Sequence, residues 1–293
     1  MAREMTVAAV QAAFSPDMSS NLEKVEALVR EAASQSAQVI LPPELFQSIY
    51  FPTRQDPKWF ETAFPVGEHP CVRTLSALAK ELGVVIPISF FEKDGPHFFN
   101  SVAIADADGA ILGVYRKSHI PDGPGYQEKY YFRPGDTGFK AWRTKHGTVG
   151  VGICWDQWYP EAARLMALAG ADMLIYPTAI GWNPEDDEAE KQRQLGAWQI
   201  VQRGHAVANG LPVIVPNRTG TELSPDGEKI DFWGHSFVAG PQGEILAQAP
   251  ANEATTLLVD VDLQRSEEVR RIWPFLRDRR VDAYQNMIKR FID

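Results

Sequence analysis

The 293-residue sequence predicts a mixed α/β domain with layered helices and sheets. Two observations carry that expectation. Apolar, strand-like runs alternate with stretches of helical periodicity from residue 6 to residue 262, and two pairs of runs flank short Gly-containing turns, the signal of antiparallel hairpins. A third narrows it to one domain over 1–293: no linker, repeat or low-complexity segment divides the chain, and 44% hydrophobic residues suffice for a sizeable core.

Taken in order, TVAAVQA (6–12) is β-rich, and Ser20 with Glu23 fits a capping box opening a helix over 21–36, whose Leu22, Val25, Leu28 and Val29 share a face. AQVILPPE (37–44) is a short apolar run ended by two prolines, which cannot continue a central strand. A helix over 70–82 ends at Gly83, before the apolar strand VVIPISF (84–90). SVAIADADGAILGVYRK (101–117) is a hairpin around an acidic-Gly turn. Strand TVGVGI (148–153) precedes Cys154, a helix over 160–169 starts at Pro160, and ADMLIYPT returns to the sheet. A long helix over 189–209 closes at Gly210. LPVIVPN, the hairpin SFVAGPQGEILAQ and TTLLVDVD are the last strands, and an Arg-rich tail follows.

Composition removes several function classes. The net charge is −9 and basic residues are not clustered, so a nucleic-acid or anionic-membrane surface lacks its electrostatic footprint. The expected partner is a small molecule or another protein. Two distant cysteines make neither a disulfide framework nor a zinc pattern. MAREMTVAAVQAAF lacks a secretory layout and no apolar stretch approaches the roughly 20 residues that span a bilayer, so a soluble, cytoplasmic protein is expected.

Three polar residues fall where strand-like runs end: Glu44 after VILPP, Lys117 after ILGVYR and Cys154 after VGVGI. Strand ends are where α/β folds place ligands. A carboxylate, an amine and a thiol that converge there supply a base, a cation and a nucleophile, a set suited to acyl transfer. Each residue also has a plain structural reading. Free Cys is often a small core hydrophobe, as Cys71 in the second helix illustrates; a buried carboxylate is ordinarily salt-bridged; a lysine at a strand end is ordinarily solvated. In favour of chemistry, the helix opened by Pro160-Glu161 would lower the Cys154 thiol pKa, and desolvation would raise Glu44 toward the range of a general base.

Rival chemistries find little support. The six histidines are scattered, with no pair at zinc-protease spacing, and neither a Walker pattern nor a strand-linked GxGxxG is present. Counting alone leaves a papain-type Cys-His pair open, because such partners need only be close in space.

LPPELF around Glu44, YRKSHIPDGPGYQEKYYFRPGDTGF around Lys117 and GICWDQWYPE around Cys154 resemble the three signature blocks of the nitrilase, or carbon-nitrogen hydrolase, superfamily, over nearly the whole chain. Together with VVIPISFFE, YPTAIG and FLRDRR, the second and third blocks are similar in particular to the N-carbamoylputrescine amidases. The resemblance implies a four-layer α-β-β-α sandwich, no metal or organic cofactor, and a homo-oligomer in which the C-terminal segment, 263–293, contacts a neighbouring subunit. It implies that Glu44 takes the thiol proton and later activates water, that Lys117 stabilises the tetrahedral intermediate, and that Cys154 attacks the carbonyl. Trp155 would lend its backbone N–H to the oxyanion, and Glu128 matches a second glutamate that orients the lysine or assists proton transfer.

Related carbamoylases acting on amino-acid derivatives carry arginines just after the cysteine; here those positions are Asp156, Gln157 and Trp158. A cationic amine tail is therefore expected, with Asp156, Trp158, Tyr130 and Trp182 as candidates for charge pairing or cation–π contact, against ordinary packing as the alternative. Where the N-carbamoylputrescine amidases read AIGSEP, this chain reads AIGWNP, so Asn183 replaces a charge that Glu185, Asp186 or Asp187 would have to supply. The expected reaction is hydrolysis of N-carbamoylputrescine to putrescine, ammonia and CO2 through a Cys-bound acyl-enzyme. The alternatives are a β-ureidopropionase-like carbamoylase, an ω-amidase, an aliphatic amidase, or a catalytically silent nitrilase-like binding protein.

Overall fold

Strand Glu4–Gln11 sits at the middle of the first sheet, antiparallel to Thr255–Asp262 (Val7 opposite Val259) and parallel to Val39–Leu41 (Val7 opposite Val39). The structure, a computed structural model, describes residues 4–223, 227 and 229–292. A bridge between Val39 and Val85 carries this sheet on to the antiparallel strands Ile86–Asp94, His97–Ala105 and Ile111–Arg116. The second sheet has six strands in the order Ile245–Gln248, Phe237–Ala239, Val213–Val215, Met173–Ile175, Gly147–Val151 and Ala141–Thr144.

Period-two alternation shows how the sheets stack. Val7 and Ala9 of the first sheet meet Val151, Ile175, Ile214 and Val238 of the second in one core, while the intervening Ala8 and Val10 face helices Met18–Ser34 and Pro70–Leu82. In the second sheet Leu174, Val213, Val215 and Phe237 turn the other way, onto helices Pro160–Leu168 and Glu188–Asn209. The layers are therefore helix, sheet, sheet, helix, as the resemblance implied. The alternating and near-continuous apolar runs follow from sheets buried on both faces.

Local chemistry shifts some boundaries. The first helix begins three residues earlier than expected because Asp17, not Ser20, caps it, its carboxylate accepting the Ser19 N–H at 3.0 Å. The helix Pro70–Leu82 ends as expected at Gly83, whose φ of 69° suits a residue without Cβ. The tail opens with a helix the sequence reading missed, Leu263–Ile272, capped by Asp262 through the N–H groups of Gln264 and Arg265. The short strands Ala141–Thr144, Gly181–Trp182, Thr221–Leu223 and Lys229–Phe232 were also missed; the last three form a small separate sheet. No helix among the described residues is long and apolar enough to cross a membrane.

Candidate active site

Glu44, Lys117 and Cys154 do leave strand ends, and each is fixed by its backbone. Pro42 and Pro43 end the ladder after Leu41, and Leu45 takes φ 49°, with its N–H donating to Ser89 Oγ at 2.8 Å. Lys117 is tied on both sides, its N–H to the Asn100 carbonyl and its own carbonyl to the Gly135 N–H, each at 2.8 Å. Cys154 also has a left-handed backbone, φ 42°, and its N–H donates to the Pro177 carbonyl at 2.9 Å, pinning the elbow to the neighbouring strand exit. Two non-glycine residues in this sparsely populated region, one beside the carboxylate and one at the thiol, are the local strain that functional turns store.

The side chains form a buried charge cluster. Lys117 Nζ donates to Glu44 Oε1 at 2.8 Å and to both oxygens of Glu128 at 2.8 Å, and all three residues are inaccessible to solvent. Glu44 Oε1 accepts a second bond from Asn100 Nδ2 at 2.7 Å; Glu128 Oε1 accepts the Tyr50 hydroxyl at 2.6 Å. Glu44 Oε2 has no partner. An acceptor left unbonded in a buried site is costly unless something arrives to use it, and Cys154 is within electrostatic range of this carboxylate.

Burial alone would lower the Lys117 ammonium pKa, but Glu128 and Glu44 override it and hold the charge above the ordinary lysine range. Burial pushes Glu128 up to about 7, with Lys117 opposing and Glu44 adding to the rise. Cys154 differs from expectation: burial first, then Glu44, push its thiol well above the ordinary range, against the pull of Lys117. The anticipated helix end is not at the sulfur. A 3-10 turn, Cys154–Trp158, intervenes and the α-helix starts only at Pro160. The resting nucleophile is thus a thiol, and a base must take its proton during attack.

The remaining predicted residues divide. Trp155 N–H precedes that of Asp156, the first to bond back within the 3-10 turn, and so lies where a helix start leaves donors free. Asp156 is engaged within the fold. Its carboxylate is buried and accepts the Ile153 N–H (2.9 Å), the Tyr115 hydroxyl (2.7 Å), and the backbone N–H and ring Nδ1 of His119 (3.0 and 2.7 Å). It braces the segment before Cys154 against the strand carrying Lys117. Trp158 packs against Trp155, and its indole N–H has no partner. Tyr130 packs on Phe60 and Tyr131.

Trp182 and Asn183 line an open cleft of about 450 Å³ with Tyr126, Gln127, Lys229 and Ile230. Trp182 lies on Trp233 at 4.8 Å between ring centroids. The Asn183 side chain bonds the Glu185 N–H and the Asp186 carboxylate, while Glu185 and Asp187 are exposed. Tyr126 joins the cleft to the charge cluster: its hydroxyl bonds the backbone of Gly181, and its phenol feels Cys154, Glu44 and Glu128. Sequence reasoning missed Tyr126, Asn100 and Tyr50, since a polar residue inside an apolar block carries no signal of what it bonds. Among the described residues no group of three or more His, Cys, Asp or Glu is arranged to hold a metal ion.

The fold and this cluster define a hydrolase of carbon-nitrogen bonds, and the chain belongs to the carbon-nitrogen hydrolase family, whose model matches residues 6–271. Among curated relatives it is 50% identical to an N-carbamoylputrescine amidase of Solanum lycopersicum over 98% of this chain and 95% of that one. It is 45% identical to a citrullinase of Francisella tularensis over 97% of this chain and 98% of that protein. A solved carbon-nitrogen hydrolase from Helicobacter pylori superposes with a TM-score of 0.93 at 45% identity, covering 99% of this chain and 100% of that one.

Proposed function

We propose that this protein hydrolyses the ureido group of N-carbamoylputrescine, giving putrescine, ammonia and CO2. The observation that carries the chemistry is the Lys117 ammonium held between Glu44 and Glu128, with Glu44 Oε2 unpartnered in the field of a buried, protonated Cys154. The substrate is inferred from the similarity to N-carbamoylputrescine amidases along 98% of the chain.

In this reading Glu44 accepts the thiol proton as the Cys154 sulfur attacks the ureido carbonyl, forming the C–S bond. The carbonyl oxygen gains negative charge beside the Lys117 ammonium and the Trp155 N–H. The C–N bond to the leaving amine breaks as Glu44 returns the proton to nitrogen, leaving an acyl-enzyme. Glu44 then deprotonates a water that attacks the acyl carbon, the C–S bond breaks, and the proton goes to sulfur. The carbamic acid released falls apart to amine or ammonia and CO2, so one water is consumed in all. Glu128 holds Lys117 in place and, with a pKa of about 7, can lend or take a proton. A urea carbonyl is a poor electrophile, so fixed positive charge at the oxyanion is what the step needs.

The cleft lined by Trp182, Asn183 and Tyr126 would receive the substrate tail. One observation favours a second reading of that tail. Lys229 is the single charged side chain among the described lining residues, which suits a tail that also carries a carboxylate, as in citrulline.

We further read the chain as one catalytic domain over 1–293 with 263–293 as an oligomer contact, in a cytoplasmic enzyme. Leu165 and Leu168 line an apolar groove with Met287 and Ile288 of the tail, all four exposed, and a second copy of the chain would cover it. Light scattering behind size exclusion tests this, and a monomer at micromolar concentration would refute it.

The decisive experiment is ammonia release across carbamoylated amines, carbamoylated amino acids and simple amides, with Cys154→Ala as control. N-carbamoylputrescine is expected to give the highest kcat/KM. A variant without the thiol that turns over as fast as its parent would overturn the nucleophile, and a faster reaction with N-carbamoyl-β-alanine would overturn the cationic tail.

A further inference from the structure

A fully buried ion pair outside the catalytic cluster grips the loop that carries the base. Arg218 and Glu222 lie where the chain passes from the second sheet to the small sheet, and neither guanidinium nor carboxylate reaches solvent appreciably. All three guanidinium nitrogens are engaged. Nη2 donates to the carbonyls of Glu44 (2.8 Å) and Leu45 (2.6 Å), Nε to the Glu44 carbonyl (3.2 Å), and Nη1 to the Ser48 carbonyl (3.0 Å) and to both Glu222 oxygens (2.8 Å). Glu222 in turn accepts the N–H groups of Phe14 (3.2 Å) and Tyr50 (2.7 Å).

The partners matter more than the pair. Two of the three carbonyls belong to Glu44 itself and to Leu45, the residue with a left-handed backbone that aims the carboxylate. Tyr50, held by Glu222, is the residue whose hydroxyl bonds Glu128. One ion pair thus reaches both carboxylates that clamp Lys117, through the backbone of one and the tyrosine of the other. Strand Thr221–Leu223, which carries Glu222, also pairs with Lys229–Phe232, and that strand pairs with Gly181–Trp182 at the cleft. Burying two charges to fold alone is a poor bargain, since hydrophobic replacements often serve as well.

We infer that Arg218 and Glu222 are positioning residues for the acyl-transfer step, setting the orientation of Glu44 and, through Tyr50, of Glu128. This rests on the reading of Glu44 as the base. Neither residue is among those lining the cleft, so loosening the grip acts on the rate of chemistry and leaves substrate binding alone. A displacement of about 1 Å in a catalytic group costs roughly 100-fold in rate. Lysine cannot reproduce the fork, because its ammonium is a single point donor in place of three nitrogens in a plane.

The test is steady-state kinetics on N-carbamoylputrescine for Arg218→Lys and Glu222→Gln beside Leu75→Ala, a core truncation under the first helix layer that lowers thermal stability without approaching the site. Expected are kcat values about 10 to 100-fold below the parent for both variants at a KM within about twofold, with Leu75→Ala near the parent kcat below its own Tm. Glu222→Gln is isosteric and serves if Arg218→Lys fails to fold. Free guanidinium added to Arg218→Gly should restore part of the kcat at a KM that stays near the parent's. Parental kcat in Glu222→Gln, or a loss matched by Leu75→Ala, would overturn the inference while leaving the function intact. A parent inactive on every ureido substrate would instead overturn the function.

Discussion

Lys117 Nζ and Glu44 meet through one carboxylate oxygen only: Oε1 accepts the ammonium at 2.8 Å, and Oε2 is buried without a partner. The carboxylate is therefore anchored and available at once, held in place by Lys117 and Asn100 while its second oxygen can accept a proton. Glu44→Gln keeps the shape but offers an N–H₂ where one oxygen stood, and an amide cannot take the Cys154 proton. General-base loss typically costs about 100 to 10,000-fold. The expected outcome is a kcat lower by at least that lower figure. A kcat near the parent's would overturn Glu44 as the base.

Glu128 makes stability depend on pH in a fixed direction. Its pKa is raised from 4.5 to about 7 by burial, so between those values the folded protein binds more protons at this site than the unfolded chain. Stability from this group is complete below about 4.5 and is lost as pH rises through 7. Glu128→Gln removes the titration, and urea midpoints compared at pH 5 and pH 8 should differ less in the variant than in the parent. An equal or larger difference would show that Glu128 is already ionised across that window.

The sequence made Glu44, Lys117 and Cys154 legible as a set for a physical reason. Each member follows directly on an apolar run that has to stop, at a proline pair, at YR or at a short Gly-Ile step, and strand exits converge in layered α/β folds. Tyr50, Asn100, Arg218 and Glu222 were not legible, because their partners lie between 4 and 174 residues away and no local pattern encodes such bonds. The Cys154 environment misled for the same reason: proximity in sequence to Pro160 suggested a helix dipole at the sulfur, whereas burial first, and then Glu44 from far along the chain, push its thiol up.

Asp156 offers a sharp contrast between the two roles considered for it. As a substrate contact it would affect KM for cationic amines and leave stability alone. As a brace accepting four donors it should do the reverse. Asp156→Asn keeps one acceptor oxygen and sets an amide N–H₂ against donors, leaving buried groups unpaired at a cost of about 1 to 3 kcal/mol. Expected are a lowered denaturation midpoint and a lowered kcat, with KM for N-carbamoylputrescine unchanged within about twofold. A raised KM at parental stability would return Asp156 to the substrate.

Asn183 is the residue through which tail preference can be read out. It lines the cleft with Lys229, and its amide is neutral. Asn183→Glu adds a negative charge to the cleft that an incoming ammonium would meet. An ion pair at a solvent-exposed rim is worth about 0.2 to 1 kcal/mol, so KM for N-carbamoylputrescine should fall by roughly 1.4 to 5-fold at unchanged kcat. For citrulline or N-carbamoyl-β-alanine, whose carboxylate would meet the new charge, KM should rise by a similar factor. Both shifts should shrink at 1 M salt, where the Debye length is about 3 Å. Identical KM changes for the two kinds of substrate, or changes indifferent to salt, would place the tail elsewhere than in the cleft of Trp182 and Asn183.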